Sequence, residues 1–487
     1  MEMQFNDQSE YSSVEMNNSS SVLHKIANLY AEQLMSDLII KVGNNSYPAH
    51  RVILCASSEV FQVMLMNPEW NEWSKTVIEL KEDPVCYPVF PSFLEYLYKG
   101  KINVSLDTCL PILSLADKYN IKDLVQLCLD YMFKHIAAAA KHGCFISWLS
   151  YGWCQPFHRD LAEELQRFLK WNLKIVADSK DFLDLDTNIL IILLQQNDLV
   201  IESEFILFQY IQKWVLNKQE QIFTEFSLAD EDKRKEIGLI TETVMKHIRF
   251  PMMSPAELSR ILQEEPVSRQ NQKLFTEFIT LAMSFHAGYD TENKSNSTDL
   301  IYTPRLYTGD QFCVSIVVPE FETVENYKSI AANFFSQVSL AESQQTDQTI
   351  AWEIDFFPRG VRYNAAKLIN IYATADIPET ILKTVRCRVT CREKLFDDKK
   401  FMIGVLISGI QGKIPYCKTV YVRVQYFSQE ENVLVIDNLL PYEELELSSV
   451  NLSPYLVGSK RDTLDISVII IPLSDLSCSV APKFEIE

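Results

Sequence analysis

The sequence predicts a multidomain α+β chain: an N-terminal α/β module, an all-α middle and a C-terminal antiparallel β-sandwich. Three observations carry this. At 487 residues the chain is too long for one compact domain, and about 150 residues per domain suggests roughly three. The apolar periodicity is mixed up to about Lys134, helical from Lys141 to about Gln263, and two-residue beyond residue 300. A polar stretch, 288–299 (GYDTENKSNSTD), separates the last two regimes.

The elements follow in order. Residues 1–21 are rich in Asn, Ser, Gln and Glu and are expected to be a disordered arm. Leu23, Ile26, Ala27, Tyr30 and Leu34 fall at helical spacing. Asp37 to Val42 has strand character, and Gly43-Asn44-Asn45-Ser46 is a turn. In the middle region Leu161, Leu165, Phe168 and Leu169 make one apolar helix face; Phe205, Phe208, Ile211 and Val215 make another. Ser254-Pro255-Ala256-Glu257 is a helix start, with Ser254 capping, Pro255 in the first turn and Glu257 reaching back. A last helix, about Gln270 to His286, carries Leu274, Phe278 and Leu281. Beyond the polar stretch, Phe312, Val314 and Ile316, then Val420, Val422 and Val424, alternate with other residues. Val433–Ile436 and the all-apolar run Val468–Ile471 add further strands. No repeat of 20–50 residues appears. The expected domains are 22–136, 140–287 and 301–487, with a linker at 288–300.

Composition narrows function. With 45 basic and 65 acidic residues the net charge is -20, which disfavours nucleic acid or an anionic membrane as partner. No segment has the roughly 18 consecutive apolar residues of a membrane span. The polar start lacks the order of a signal peptide, and eleven irregularly spaced cysteines fit reduced thiols. The expected location is the cytoplasm, with the nucleus second. All seven histidines lie at or before His286, and only 12 glycines occur. Histidine-dependent chemistry is therefore excluded from the C-terminal region, and phosphate-cradling glycine loops are improbable. No G-x-S-x-G, H-E-x-x-H or C-x-x-C is present, so neither catalytic residues nor cofactors are expected. Cys144, Cys154 and His158 come nearest to a metal set, but their spacing fits no standard zinc site; no metal is expected.

Several motifs resemble known families. Ser36–Val42, Tyr47-Pro48-Ala49-His50-Arg51-Val52-Ile53-Leu54 and Ser57–Phe61 resemble the opening of a BTB/POZ domain. The likeness continues through Val77–Leu80, Phe93–Gly100 and Leu115–Tyr119. The helical stretch resembles a BACK domain, the companion of BTB in Kelch-like proteins, at Phe182–Leu185, Glu202–Val215 and Ile248–Leu258. Trp352-Glu353-Ile354-Asp355-Phe356-Phe357-Pro358-Arg359-Gly360 is similar to the W-x-I-x-x-x-P-x-G signature of MATH/TRAF sandwiches. Arg461–Leu464 resembles the closing strand of that fold.

The resemblance implies site residues. Leu23, Ile26 and Tyr30 would lie in a two-fold dimer interface. Asp37 and Arg51 match the charged pocket of the BTB groove, which receives corepressor peptides in transcriptional relatives. Trp70-Asn71-Glu72 matches the hydrophobic-x-acid step of cullin-3-binding BTB domains, where an apolar anchor enters a pocket and the carboxylate fixes orientation. Tyr119 matches a second cullin contact, with packing of its own domain as the alternative. No client-groove residues are assigned, and Trp352 is expected to be core. The expected function is a substrate-recognition adaptor of a cullin-3 RING ubiquitin ligase. It would dimerise through BTB and hold an unidentified protein client on the sandwich. The alternatives are a dimeric scaffold without a ligase and a corepressor-binding protein. Either way it is not an enzyme.

Overall fold

The computed structural model describes residues 17–224, 229–288, 300–341, 349–361, 383–393, 398–445 and 453–474. Most of the expected arm and of the linker lies outside these residues. Two compact units result, Met1–Lys134 and His135–Glu487.

The first unit opens with helix α1 (Ser19–Ala31), a few residues before the expected domain start at 22. Strands β1 (Leu38–Val42), β2 (Asn45–Ala49) and β3 (Val77–Leu80) form a sheet ordered β2-β1-β3. The β1–β2 hairpin is antiparallel and turns at Gly43, whose φ of +56° is left-handed. The β1–β3 pair is parallel and needs a crossover, which α2 (Arg51–Ser57) and α3 (Glu59–Met66) supply. Ser58 separates these helices by accepting the Phe61 amide at 3.1 Å as the cap of α3, while its hydroxyl donates to the Tyr119 carbonyl. Helices α4 (Phe90–Lys99), α5 (Leu106–Lys118) and α6 (Lys122–Lys134) complete the core. His50 ties the chain entering this unit: its Nε2 donates to the Leu34 carbonyl, so Nδ1 accepts from the Tyr98 hydroxyl.

In the second unit the helical part contains α7 (Ile136–His142), α8 (Phe145–Cys154), α9 (Arg159–Trp171), α10 (Leu173–Ala177) and α11 (Thr187–Leu194), then strand β4 (Val200–Ile201). Helices α12 (Glu204–Thr224), α13 (Asp230–Met245), α14 (Pro255–Glu264), α15 (Pro266–Gln270) and α16 (Gln272–His286) follow. The capping box at Ser254 and Glu257 forms as the sequence predicts. Ser254→Ala is expected to cost about 1 kcal/mol, measured as the shift in thermal unfolding. On α16 the buried apolar residues are Phe275, Ile279, Ala282 and Phe285. Leu274, Phe278 and Leu281 are only half-buried beside them, because the packed stripe is rotated by one position.

The sandwich comprises two sheets. One joins β10 (Lys399–Gln411), β11 (Ile414–Phe427), β13 (Leu456–Val457), β14 (Thr463–Pro472) and β6 (Cys313–Val318), with β14 between β10 and β6. The other is ordered β12-β9-β8-β7 from β12 (Val433–Ile436), β9 (Arg386–Cys391), β8 (Thr349–Phe357) and β7 (Ile330–Gln337). All pairings within both sheets are antiparallel. Trp352 sits in the core as expected: its Nε1 donates to Ser336 Oγ at 2.8 Å, and its ring meets Phe401 and Phe427 edge-on. Cys387, Val389 and Cys391 face inward on β9 and Arg388 outward, the sidedness that their alternation implies.

Helical part and sandwich are fastened at several points. Strand β5 (Leu306–Tyr307) pairs in parallel with β4 of the helical part, so the start of the expected sandwich domain, near 301, is a strap laid on the helices. Under it lies a polar cluster that is almost wholly inaccessible, Glu204, Arg249, Arg305 and Tyr307. Arg305 forms an ion pair with Glu204 and donates to the Leu194 and His247 carbonyls. The Tyr307 hydroxyl donates to the second Glu204 oxygen at 3.0 Å. Arg249 gives its amide to Glu204 and its guanidinium to the Thr303 carbonyl. Elsewhere Asn172 brackets Cys417 on β11, accepting its N–H at 2.6 Å and donating to its carbonyl at 3.0 Å. The strap also explains the Val468–Ile471 run. Gly404 leaves room for the Leu306 side chain beside Ile469, and from Val468 onward β14 is buried on both faces.

Candidate protein-interaction site

The loop from Asn67 to Thr76 joins α3 to β3 and holds the sharpest motif of the sequence. Pro68 follows Asn67, which disfavours further helix, and the Asn67 side chain accepts the Glu69 amide at 3.0 Å. Local turns follow, with Trp70 N–H on the Asn67 carbonyl at 3.0 Å and Trp73 N–H on the Trp70 carbonyl at 3.3 Å. The outcome is an outward-facing loop. Trp70 is 49% exposed, and Glu72, with its side chain 28% exposed, lies 3.8 Å from Lys75.

Trp73 is 47% exposed and Met66 63%, so the apolar surface is wider than the three-residue motif. The second tryptophan, three residues after the first, is the sequence signal for this extension. Solvated indoles are costly, and a patch of this kind beside a carboxylate suits a protein partner.

Tyr119 is a correction. It is 2% exposed, stacks on Phe61 with ring centroids 4.4 Å apart, and its hydroxyl donates to Glu82. Burial, then the Glu82 carboxylate, pushes its hydroxyl pKa well up. It holds the core and offers no ring to a partner.

Asp37 and Arg51 also differ from the expected charged pocket. The Asp37 carboxylate accepts the Arg51 backbone N–H at 2.9 Å, while the guanidinium reaches the carbonyls of Leu65, Trp73 and Lys75. The two side chains serve helix start and loop rather than pairing across a groove.

On α1 no side chain is fully buried within the chain. Leu23 is exposed, Ile26 and Tyr30 are half-buried, and Tyr30 rests on Tyr98 with its hydroxyl donating to the Pro91 carbonyl. The near-miss metal set does not come together: Cys144 Sγ donates to the Ala139 carbonyl and Cys154 is exposed. Among the described residues no group of His, Cys, Asp and Glu suits a metal, and no helix is long and apolar enough to cross a membrane.

Comparison with known proteins gives three family matches in order: BTB/POZ domain over residues 26–136, BTB And C-terminal Kelch over 155–263, and BTBD17 TRAF domain over 302–474. BTB/POZ domain-containing protein 17 of Xenopus laevis is 28% identical over 71% of this chain and 69% of its own length. The Homo sapiens protein of that name is 28% identical over 56% of this chain and 53% of its own. Galectin-3-binding protein of Mus musculus is 24% identical over 68% and 58%. The chain thus spans between about half and two thirds of these relatives. These modules are protein-interaction domains, not catalytic families. With all three matches in sequence order, the chain carries a BTB/POZ domain, a BACK domain and a C-terminal TRAF domain, and is similar to BTB/POZ domain-containing protein 17.

Proposed function

We propose that this protein is a dimeric adaptor of a cullin-3 RING ubiquitin ligase that holds a protein client on its C-terminal sandwich. The observation that carries the reading is the α3–β3 loop, where Trp70 stands in solvent beside Glu72. An indole that fills a pocket supplies affinity, and a neighbouring carboxylate supplies orientation. The adaptor performs no chemistry; it raises the effective concentration of client lysines near the ligase. The fastenings between helices and sandwich support the client-holding part, since a clasped module offers its client at a fixed distance from the helical domain. A scaffold that dimerises without a ligase is the second reading. A corepressor role draws least support, because the Arg51 guanidinium is engaged by carbonyls of its own chain.

Dimerisation rests on α1, which leaves Leu23 exposed and Ile26 half-buried. A two-fold interface needs such a self-complementary apolar patch. Sedimentation of the full chain at low micromolar concentration is expected to give a dimer, and Ile26→Asp combined with Leu23→Asp a monomer. A monomer without the substitutions would refute the dimer. Pull-down with the cullin-3 N-terminal region separates the ligase adaptor from the scaffold.

A further inference from the structure

We infer that Arg51 is the positioning residue that presents the Trp70–Glu72 step, acting as an intramolecular clamp on the loop that bears it. The inference rests on the cullin reading for its consequence, but on geometry for its substance. Arg51 begins α2, and its place is fixed by the Asp37 carboxylate, which accepts its N–H at 2.9 Å. From there the guanidinium spans both ends of the neighbouring segment. It donates to the Leu65 carbonyl in the last turn of α3 at 3.3 Å, to the Trp73 carbonyl at 3.0 Å, and to the Lys75 carbonyl.

Leu65 supplies one of the last four carbonyls of α3, which have no partner within the helix, and a cation there also suits the helix dipole. Trp73 and Lys75 flank the far side of the exposed motif. Among the described residues, the loop's other hydrogen bonds run within residues 67–75, apart from the Asn67 amide on the Val63 carbonyl of α3 and the Ile39 amide on the Thr76 carbonyl. A ten-residue excursion bearing two solvated tryptophans is thus pinned at both sides by one side chain. Binding to a partner then costs less loop entropy, because the loop is already ordered. Only a planar fork with several N–H groups reaches three carbonyls at once; a lysine ammonium does not reproduce that geometry.

The test uses the full chain carrying Arg51→Gln or Arg51→Lys. Amide hydrogen exchange is followed in peptides covering 67–76 and in peptides from α5 and α6, together with affinity for the cullin-3 N-terminal region. The expected result is exchange about tenfold faster in the loop, equivalent to about 1.4 kcal/mol of lost protection. Exchange in α5 and α6 stays unchanged, cullin affinity falls in parallel by about three- to tenfold, and lysine fails to rescue. Unchanged loop exchange would overturn the inference. So would a rise spread equally over α5 and α6, which would make Arg51 a residue of the whole fold, or a faster loop with undiminished cullin affinity. If the unsubstituted chain does not bind cullin-3, the ligase reading falls, while the exchange arm still decides whether the clamp exists.

Discussion

Truncating Arg305 to alanine is expected to destabilise the His135–Glu487 unit by about 3–5 kcal/mol, the range for breaking a buried ion pair by removing one partner. Both side chains of the Arg305–Glu204 pair are wholly inaccessible. Without the guanidinium, the Glu204 carboxylate keeps the Tyr307 hydroxyl and the Arg249 amide but loses its balancing charge. The Leu194 and His247 carbonyls lose a donor as well, and buried acceptors left unmade are costly. The strap pairing of β4 with β5 is held over this cluster, so the loss is expected to loosen the sandwich from the helices. Urea unfolding of the full chain measures it. Glu204→Leu together with Arg305→Leu should cost less than either change alone, since two apolar groups leave no stranded charge. A loss below about 1 kcal/mol in the alanine variant would mean that the strap is not clasped.

Trp70→Ala is expected to weaken cullin-3 binding by about 2 kcal/mol or more, the threshold of an interface hot spot. Glu72→Lys should weaken it at least about tenfold, or about 1.4 kcal/mol. The existing Glu72–Lys75 contact, at 3.8 Å and open to solvent, is worth little, so the carboxylate is free to be redirected by a partner. Charge reversal both deletes an acceptor and sets like charge beside Lys75. Neither change should alter the unfolding midpoint appreciably, because neither side chain is buried. Trp73→Ala belongs in the same series, and an effect comparable to that of Trp70→Ala would place both indoles in the contact.

Much of the architecture was legible because the residues that encode it act locally. The Ser254–Glu257 capping box and the alternation on β9 form where the sequence places them. The Val468–Ile471 run marked a strand but not what covers its outer face, since Leu306 arrives from a segment 150 residues or more earlier. The strap itself was illegible for the same reason: a two-residue parallel pairing has no periodic signature, and Arg305 and Glu204 look like ordinary surface charges until brought together. At the candidate site, Trp70 is exposed in the loop that begins where α3 ends, at Asn67 before Pro68. For Tyr119 the packing alternative holds: a motif position does not tell which way a ring points, and the stacking on Phe61 turns it inward. Arg51 was read as half of a charge pair, whereas the uncapped end of α3 and the adjoining loop offered it three carbonyls.

The most direct test of the adaptor reading is the affinity of the purified full chain for the cullin-3 N-terminal region, measured by calorimetry in physiological salt. The account expects association at or below low micromolar concentration, at one cullin per chain, and its loss in the Glu72→Lys chain. No heat of binding with both components at tens of micromolar, from a chain shown to be folded and dimeric, would contradict it and leave a scaffold.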